Sequence, residues 1–394
     1  MPDGITYDLP PLKKFDISEK TGFLPEVPPL KRLPGECFSK WEDLMQCLPQ
    51  FVKEKRLRDE VDKLPEVEFS EKTLHSEEEW QRAYVLVTFL GQAYIWMDGE
   101  KGLLYKVPKK IAVPWVHVSE HIGLLPVATY AAMVLYNYSL PDPSKPLDDT
   151  NVHAVSMFTD SEDESWFYMV HALVEVAAVP GLKAVHHAYS TMSCHQNSAL
   201  AQDLRDVAQA LQEMLLAMQK MYDHCNPKFF FVDLRPFLAG SKDNDAFKDR
   251  ELIFEGVHPN PPKCRGSSGA QDTAIQCFDI LLGVNHTGDE DKFLKEIRDY
   301  MPRKHQAYLE ALGCQPSVRE YVKLSGDSEL IRNYNEAVDA FREFRCKHIT
   351  LVTRYIVNQR KHSINQSLDN RGTGGTPFMI FLKKVRDDTN ELKI

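Results

Sequence analysis

His348 is the first residue whose type and setting could support chemistry, because its imidazole interrupts an apolar helical pattern. Aliphatic and aromatic residues recur around it at steps of three or four positions, which places them with it on one helix face: Leu330, Tyr334, Val338, Phe341, Phe344, Val352 and Tyr355. One interpretation is a core histidine whose polar atoms bond to a backbone carbonyl or water. The other is an axial ligand of haem iron, presented from a rigid helix into an apolar slot. The pattern alone favours the core histidine.

A second histidine, His171, lies in a segment with almost no polar face, residues 166–174. Burying its polar atoms without partners would cost about 2 kcal/mol or more. It is either a core histidine with satisfied hydrogen bonds or one side of a haem pocket, opposite His348. The pattern again favours the core histidine, since a chain with 14 histidines will bury some by chance.

Arg235 lies in the strongly apolar segment Phe-Phe-Phe-Val-Asp-Leu-Arg-Pro-Phe, residues 229–237. A cation in such surroundings needs a negative partner. It either belongs to a structural ion pair, which the pattern alone favours, or it binds the carboxylate of a ligand. The planar guanidinium suits the second role, because its donors match both carboxylate oxygens.

The motifs of several large enzyme classes are absent from the sequence. It contains no P-loop, no H-E-x-x-H and no G-x-S-x-G. The glycine-rich segment Gly-Thr-Gly-Gly-Thr, residues 372–376, is not a dinucleotide fingerprint, because no strand precedes it and the spacing differs. It is either a flexible hinge or a lid that places backbone N–H groups and a hydroxyl over a ligand.

Composition and charge exclude other classes. The net charge of -10, without a basic patch, argues against a nucleic-acid partner. The eight cysteines form no C-x-x-C or C-x-x-C-H pattern, so zinc, thioredoxin-like and thioether-linked haem sites lack support. The first residues contain no apolar signal region. The uncharged stretch 122–140 is interpreted as a buried helix rather than a membrane span. We therefore expect a cytoplasmic protein with reduced thiols and no membrane partner.

The elements that must position these residues are almost all helical. Residues 1–35 are proline-rich and predict an extended arm, and residues 98–114 predict a loop with a short strand. Hydrophobic periodicity predicts helices over 79–97, 165–179, 199–224, 271–284, 292–300, 304–312 and 328–357, the last being the longest and final one. The polar tract 358–376 predicts a functional or disordered loop. The fold class is mostly α, with a smaller, mainly helical domain over residues 1–150 and a larger all-helical domain over 151–394.

Several segments, taken together, resemble the indoleamine 2,3-dioxygenase family. They are Ile-Ala-Val-Pro at 111–114, Asn-Pro-Lys at 226–228, Gln-Cys-Phe-Asp-Ile-Leu-Leu-Gly at 276–283, Tyr-Met-Pro at 300–302, Pro-Ser-Val-Arg-Glu at 316–320 and the glycine-rich segment at 372–376. The resemblance runs from about residue 14 to residue 386, with the segments in family order. This coverage is far more specific than any single motif.

For the cofactor, the resemblance implies haem b held in the larger domain, with the smaller domain capping its distal side. The family's proximal histidine falls on His348, which then ligates the iron. An Asp–Arg pair that steadies a haem propionate falls on Asp279 and Arg345. The loop at about 358–376 would be flexible.

For the substrate side, the resemblance assigns a set of contacts around the haem. The carboxylate-binding arginine falls on Arg235 with Phe230 and Phe231 beside it, and the residues that flank the indole fall on Tyr130 and Phe167. The distal loop and the glycine-rich loop fall on Ser267, Ser268, Gly269, Ala270 and Thr373. His171, Arg235 and Ser268 are the residues expected to act on the reaction. This chain has His171, Met133 and Ala239 where the best-known vertebrate form has serine, cysteine and serine. His171 would orient the indole N–H rather than serve as an essential base.

The function implied by the resemblance is insertion of both atoms of O2 across the indole C2–C3 bond of L-tryptophan. The product would be N-formylkynurenine, formed in the first step of the kynurenine pathway by a monomer whose iron is kept ferrous by an electron donor. The alternative is oxygen storage, because some gastropod myoglobins share this family. Arg235, Phe230 and Thr373 are all present, which favours the enzyme.

Overall fold

The computed structural model describes residues 9–364 and 366–394. Within them the α-helices are, in order, α1 (Ser39–Gln46), α2 (Leu48–Lys53), α3 (Leu57–Asp62), α4 (Glu77–Trp96), α5 (Lys109–Ile122), α6 (Glu162–Ser193), α7 (Asn197–Gln219), α8 (Met221–His224), α9 (Pro227–Phe229), α10 (Thr273–Leu282), α11 (Asp289–Glu296), α12 (Arg303–Gly313), α13 (Val318–Ser325), α14 (Ser328–Tyr355) and α15 (Phe378–Asn390). The mostly α fold class is confirmed.

Shorter helical turns and two small sheets complete the described structure. The 3-10 turns span Leu12–Phe15, Glu36–Phe38, Glu100–Gly102, Arg235–Leu238, Asp245–Phe247, Gly269–Gln271, Ile297–Tyr300, Val357–His362 and Gln366–Leu368, and π-helical turns span Ala131–Leu135 and Phe230–Leu234. Strand β1 (Lys106–Val107) pairs in parallel with β4 (Ile253–Phe254), with Lys106 opposite Ile253. Strand β2 (Tyr138–Ser139) pairs antiparallel with β3 (His153–Ala154), with Tyr138 opposite Ala154.

Helix α6 forms the centre of the larger helical region, where α7 packs between α6 and α14. Ser161 caps its N-terminus by accepting a hydrogen bond from the Asp163 N–H, and three acidic residues in the first turn favour the helix dipole. At 32 residues it is longer than α14, which has 28, so the prediction that the histidine-bearing helix is the longest was wrong. Its most apolar stretch could cross a membrane by length and composition, and 67% of that stretch is buried within the protein.

Two predictions between residues 98 and 140 were wrong. Residues 109–122 form α5 rather than a loop, because Pro108 precedes the helix as its N-cap and Pro114 is accommodated inside it. Residues 122–140 are not one helix, because Gly123 has φ +70° and ends α5. The remainder is loop, the π-helical turn Ala131–Leu135 and β2. The predicted short strand is confirmed as β1.

Two further differences affect the C-terminal third of the chain. Helix α14 was predicted to be the last, but α15 follows it and packs against it. The predicted loop at 358–376 contains two 3-10 turns, and residue 365 lies outside the described residues. Residues 1–8 of the predicted N-terminal arm also lie outside them. The division into domains at residue 150 stays a prediction.

Candidate functional site

A cavity of about 270 Å³ lies among α6, α10, α14 and α15, with mostly apolar side chains around it. The residues that the sequence assigned to the site line it together: Tyr130, Met133, Phe167, His171, Phe230, Arg235, Ser267, Ser268, Gly269, Ala270, Asp279, Arg345, His348 and Thr373. They come from segments up to 243 positions apart (373 − 130). Two residues named in the sequence analysis do not line it. Phe231 does not line the cavity, and Ala239 lines a separate, smaller one of about 130 Å³.

His348 presents a neutral imidazole to the cavity. In the described part of the chain, neither of its ring nitrogens has a hydrogen-bond partner. Burial lowers its pKa to about 4, with smaller contributions from His171 and Arg345. A neutral imidazole with a free nitrogen lone pair is the form that binds iron. Haem brings four nitrogen ligands of its own, so a single axial histidine suffices to hold it.

His171 combines both roles that its sequence allowed. Its Nδ1 lies 2.8 Å from the carbonyl oxygen of Phe167, one turn earlier on α6. A carbonyl only accepts, so Nδ1 carries the proton and Nε2 keeps a lone pair. Burial lowers the pKa of His171, which keeps it neutral near pH 7. The imidazole is therefore a satisfied core histidine at one nitrogen and a hydrogen-bond acceptor at the other.

Arg235 is a buried cation without an anionic partner among the described residues. Its side chain is 1% exposed, and one terminal nitrogen donates to the backbone carbonyl of Arg371. Within the part of the chain that the structure describes, its Nε has no hydrogen-bond partner. Burial lowers its pKa to about 10, and Asp369 partly opposes this, so the group remains charged at neutral pH. The structural ion pair that the pattern favoured is wrong, and the unused donor makes Arg235 the strongest candidate for binding an anion.

Phe231 packs against this arginine outside the cavity lining. The guanidinium carbon of Arg235 lies 5.4 Å from the centre of the Phe231 ring. The π-helical turn Phe230–Leu234 directs consecutive side chains to different sides, so Phe230 reaches the cavity and Phe231 does not. Phe231 therefore lies outside the cavity lining, and its contact with substrate stays a prediction.

Aromatic rings form the wall beside His171. The ring of Phe167 lies 4.8 Å from both the Phe230 ring and the His171 ring. Tyr130 lies edge-on to His171 at 5.9 Å, and its hydroxyl donates to Glu175 at 3.0 Å. Since this hydroxyl is engaged, Tyr130 offers the cavity mainly its ring. Such a flat, apolar slot fits an aromatic ligand.

The two loops at the cavity are joined to each other by hydrogen bonds. The Thr373 hydroxyl donates to the Ser267 carbonyl, and the Gly266 N–H donates to the Thr373 carbonyl at 3.2 Å. The Ser268 hydroxyl accepts from the Ala270 N–H at 3.3 Å, so it caps a short turn while lining the cavity. Gly375 has φ +84°, and a Cβ there would lie 2.7 Å from the Lys242 carbonyl, so the loop requires glycine at this position.

Asp279 and Arg345 form a buried ion pair at the wall of the cavity, with 2.6 Å between their charged atoms. Arg345 also donates to the Val385 carbonyl at 3.1 Å and to the Thr389 hydroxyl, and it stacks over the Phe341 ring at 4.0 Å. Burial would raise the pKa of Asp279, but Arg345 and His286 hold it below its usual value. The predicted pairing is confirmed.

Sequence reasoning missed a pair of buried carboxyl groups beside the cavity. Glu175 lies one turn after His171 and is fully buried, and Asp272 caps α10 by accepting from the Ala274 and Ile275 N–H groups. Burial and the neighbouring Asp272 raise the pKa of Glu175 well above its usual value. The signal available in the sequence was Glu175, an acidic residue directly after the apolar run 166–174.

Within the described residues, a helical protein brings a neutral imidazole, an aromatic slot and a cation without a carboxylate partner together around the cavity. The family model described as indoleamine 2,3-dioxygenase matches residues 11–392. The chain is 37% identical to indoleamine 2,3-dioxygenase 2 of Homo sapiens, over 96% of this chain and 95% of that protein. It is 33% identical to indoleamine 2,3-dioxygenase 1 of Rattus norvegicus, over 96% and 95%. It is also 30% identical to a myoglobin of Haliotis madaka, over 97% and 98%.

The chain belongs to the indoleamine 2,3-dioxygenase family. At the level of that family it is an oxidoreductase of the dioxygenase kind. The resemblance recognised in the sequence is therefore confirmed.

Proposed function

We propose that this protein is a cytoplasmic haem b dioxygenase that inserts both atoms of O2 across the indole C2–C3 bond of L-tryptophan, giving N-formylkynurenine. The observation that carries the proposal is Arg235, a buried guanidinium with an unused Nε donor at an aromatic cavity. Of the ordinary metabolites, an aromatic amino acid supplies both a carboxylate for that donor and a flat ring for the slot.

The residues of the cavity fit a haem. His348 would hold the iron through its free nitrogen, and the Asp279–Arg345 pair would lie beside a propionate. The apolar side chains around them, Phe344, Leu351, Val352 and Val385 among others, suit the porphyrin faces. When bound, the haem supplies the activation of O2 by ferrous iron. An electron donor would keep the iron reduced.

The remaining residues position the substrate and exclude water. Arg235 would bind the carboxylate through charge-assisted hydrogen bonds, with Phe231 stacked on its other side. Phe167, Phe230 and Tyr130 would enclose the indole, and Nε2 of His171 would accept the indole N–H. Thr373 and Ser268 would close the cavity from the two joined loops. The chain thus contributes orientation and a dry pocket, which are large factors in catalysis.

Oxygen storage is the second candidate, favoured by the similarity to the Haliotis madaka myoglobin. Two features of the site weigh against it. Storage of O2 has no use for a buried cation that lacks an anion. His171 also has its proton on Nδ1, so Nε2 accepts a hydrogen bond from an indole N–H but does not donate one to O2.

The experiment is an assay of the purified, haem-loaded and reduced protein for absorbance of N-formylkynurenine with L-tryptophan in air. Tryptophan should also shift the haem spectrum, because its ring would lie next to the cofactor. Indole-3-ethanamine, which lacks the carboxylate, is the matched control and should react far more slowly. Reversible O2 binding without product, and a spectrum indifferent to millimolar tryptophan, would instead establish the storage function.

A further inference from the structure

Helix α15 forms one wall of the cavity, although it lies at the C-terminal end of the described chain. Phe378, Phe381, Leu382 and Val385 line the cavity from this helix. Its neighbours are α14, which carries His348 and Arg345, and α11. Whatever holds α15 in place therefore also shapes the proposed cofactor site.

A buried histidine lies between α15 and the opposite wall. Nδ1 of His286 is 2.9 Å from a carboxylate oxygen of Asp388 on α15. Its Nε2 is 3.6 Å from a carboxylate oxygen of Asp279 on α10, within ion-pair distance but too long for a good hydrogen bond. The side chains of His286 and Asp388 are 7% and 4% exposed, so solvent screens this contact little.

Charged side chains of opposite sign surround His286, from α10 and α14 on one side and from α15 on the other. Arg345 of α14 pairs with Asp279, and Lys384 of α15 pairs with Asp388. If the imidazole were neutral, the carboxylates of Asp279 and Asp388 would each have one cationic partner, Arg345 and Lys384 respectively. An imidazolium donates to Asp388 and faces Asp279 with its second N–H, so it joins the two ion pairs into one network.

We propose that His286, as an imidazolium, is a positioning residue that clamps α15 to the Asp279–Arg345 pair and thereby slows the release of haem from the cavity. This inference rests on the haem-binding part of the proposed function. It assigns His286 no contact with the cofactor, since it acts through Asp279, Arg345 and α15.

The clamp makes a definite prediction for pH. Burial lowers the pKa of His286 and Arg345 opposes its charge, but Asp279 and Asp388 outweigh both and raise the pKa above its usual value. The clamp is therefore complete below about pH 6.5, the ordinary pKa of histidine. It is lost as the pH rises through the higher pKa of the folded protein. Haem should be held more tightly at pH 6 than at pH 9.

The test is the rate at which haem leaves the ferric holoprotein when excess apomyoglobin is present as the acceptor, measured from pH 6 to pH 9. The unsubstituted protein should release haem about tenfold faster at pH 9 than at pH 6, because the imidazolium loses its charge over this range. His286→Gln keeps one N–H for Asp388 but has no charge. It should release haem at the faster rate throughout, with a flat pH profile.

His187→Gln is the matched control, because Nδ1 of His187 also contacts an aspartate, Asp203 at 2.8 Å, and His187 does not line the cavity. Its profile should match that of the unsubstituted protein. If His286→Gln fails to fold by circular dichroism, Asp388→Asn tests the same clamp and should likewise speed release at pH 6.

The proposal would be overturned if the rate of haem release still rose with pH in His286→Gln or Asp388→Asn. Loss of this pH dependence in the His187→Gln control would overturn it as well. A flat profile in the unsubstituted protein would do so as well. Failure of the unsubstituted protein to bind haem at all would instead contradict the proposed function, so the two failures are distinguishable.

Discussion

Two buried arginines face the same cavity and differ in their partners. Arg345 contacts Asp279, a carbonyl, a hydroxyl and an aromatic ring, and its charge is neutralised within the fold. Arg235 has one backbone carbonyl and a phenylalanine ring, and no carboxylate pairs with it in the described part of the chain. A buried charge is costly without a counter-charge. The comparison indicates that Arg345 stabilises the fold, whereas Arg235 is available for the substrate carboxylate that we propose.

The largest expected effect is the loss of haem when His348, which lines the cavity, is substituted. His348→Ala should lose haem almost completely, because the described cavity offers no second imidazole on α14. The measurement is the ratio of Soret to protein absorbance after reconstitution with haem b. Addition of imidazole should restore part of the absorbance. A wild-type spectrum without added imidazole would show that another residue ligates the iron.

Arg345→Leu should have the next largest effect, and it should act on stability. Removing one partner of a buried ion pair leaves Asp279 uncompensated, which typically costs about 3–5 kcal/mol. The free energy of unfolding in urea should fall by about that amount, with weaker haem retention. Arg235→Leu, the matched substitution, should change it far less, because no buried carboxylate loses its partner. Equal destabilisation by both would contradict the comparison.

Arg235→Ala should act on catalysis. A charge-assisted contact with the substrate carboxylate is worth about 2–4 kcal/mol, so kcat/KM for L-tryptophan should fall about 30- to 1000-fold. Haem content and O2 binding without substrate should stay unchanged. Arg354→Ala is a suitable control, because Arg354 also stacks on an aromatic ring, Tyr222 at 4.8 Å, but does not line the cavity. Unchanged kcat/KM in Arg235→Ala would refute its role.

The smallest expected effect is that of His171→Ser. Loss of one neutral hydrogen bond from the indole N–H is worth about 0.5–1.5 kcal/mol, which is about a two- to tenfold increase in KM. Turnover should remain measurable, because no step needs this imidazole as a base. Its neutral form predominates near pH 7, so KM should change little between pH 7 and pH 8 in the unsubstituted protein. Complete loss of turnover with haem retained would point to base catalysis.

The contrast between the two arginines also shows where prediction from sequence succeeded. The apolar stripe around His348 could be read directly, and its aliphatic and aromatic members are buried on one face of α14. The helices over 304–312 and 328–357 were placed within two residues of their observed ends. In contrast, residues 122–140 were predicted to form a helix because they carry no charge. Gly123, the second residue of this segment, instead ends α5. Apolar character signals burial but not the backbone conformation that is buried.

The sequence by itself determined the family, the mostly α fold and many of the side chains that line the cavity, because helical periodicity is local and motif order is linear. The resemblance already indicated the Asp279–Arg345 pair, but only the tertiary structure decided how the other buried charges are partnered. His286 reaches Asp388 across 102 positions, while Arg235 meets no carboxylate among the described residues. Periodicity assigns a residue to a helix face but not to a partner, since pairing depends on how distant helices pack. The proposed substrate contact and the proposed clamp both depend on that packing.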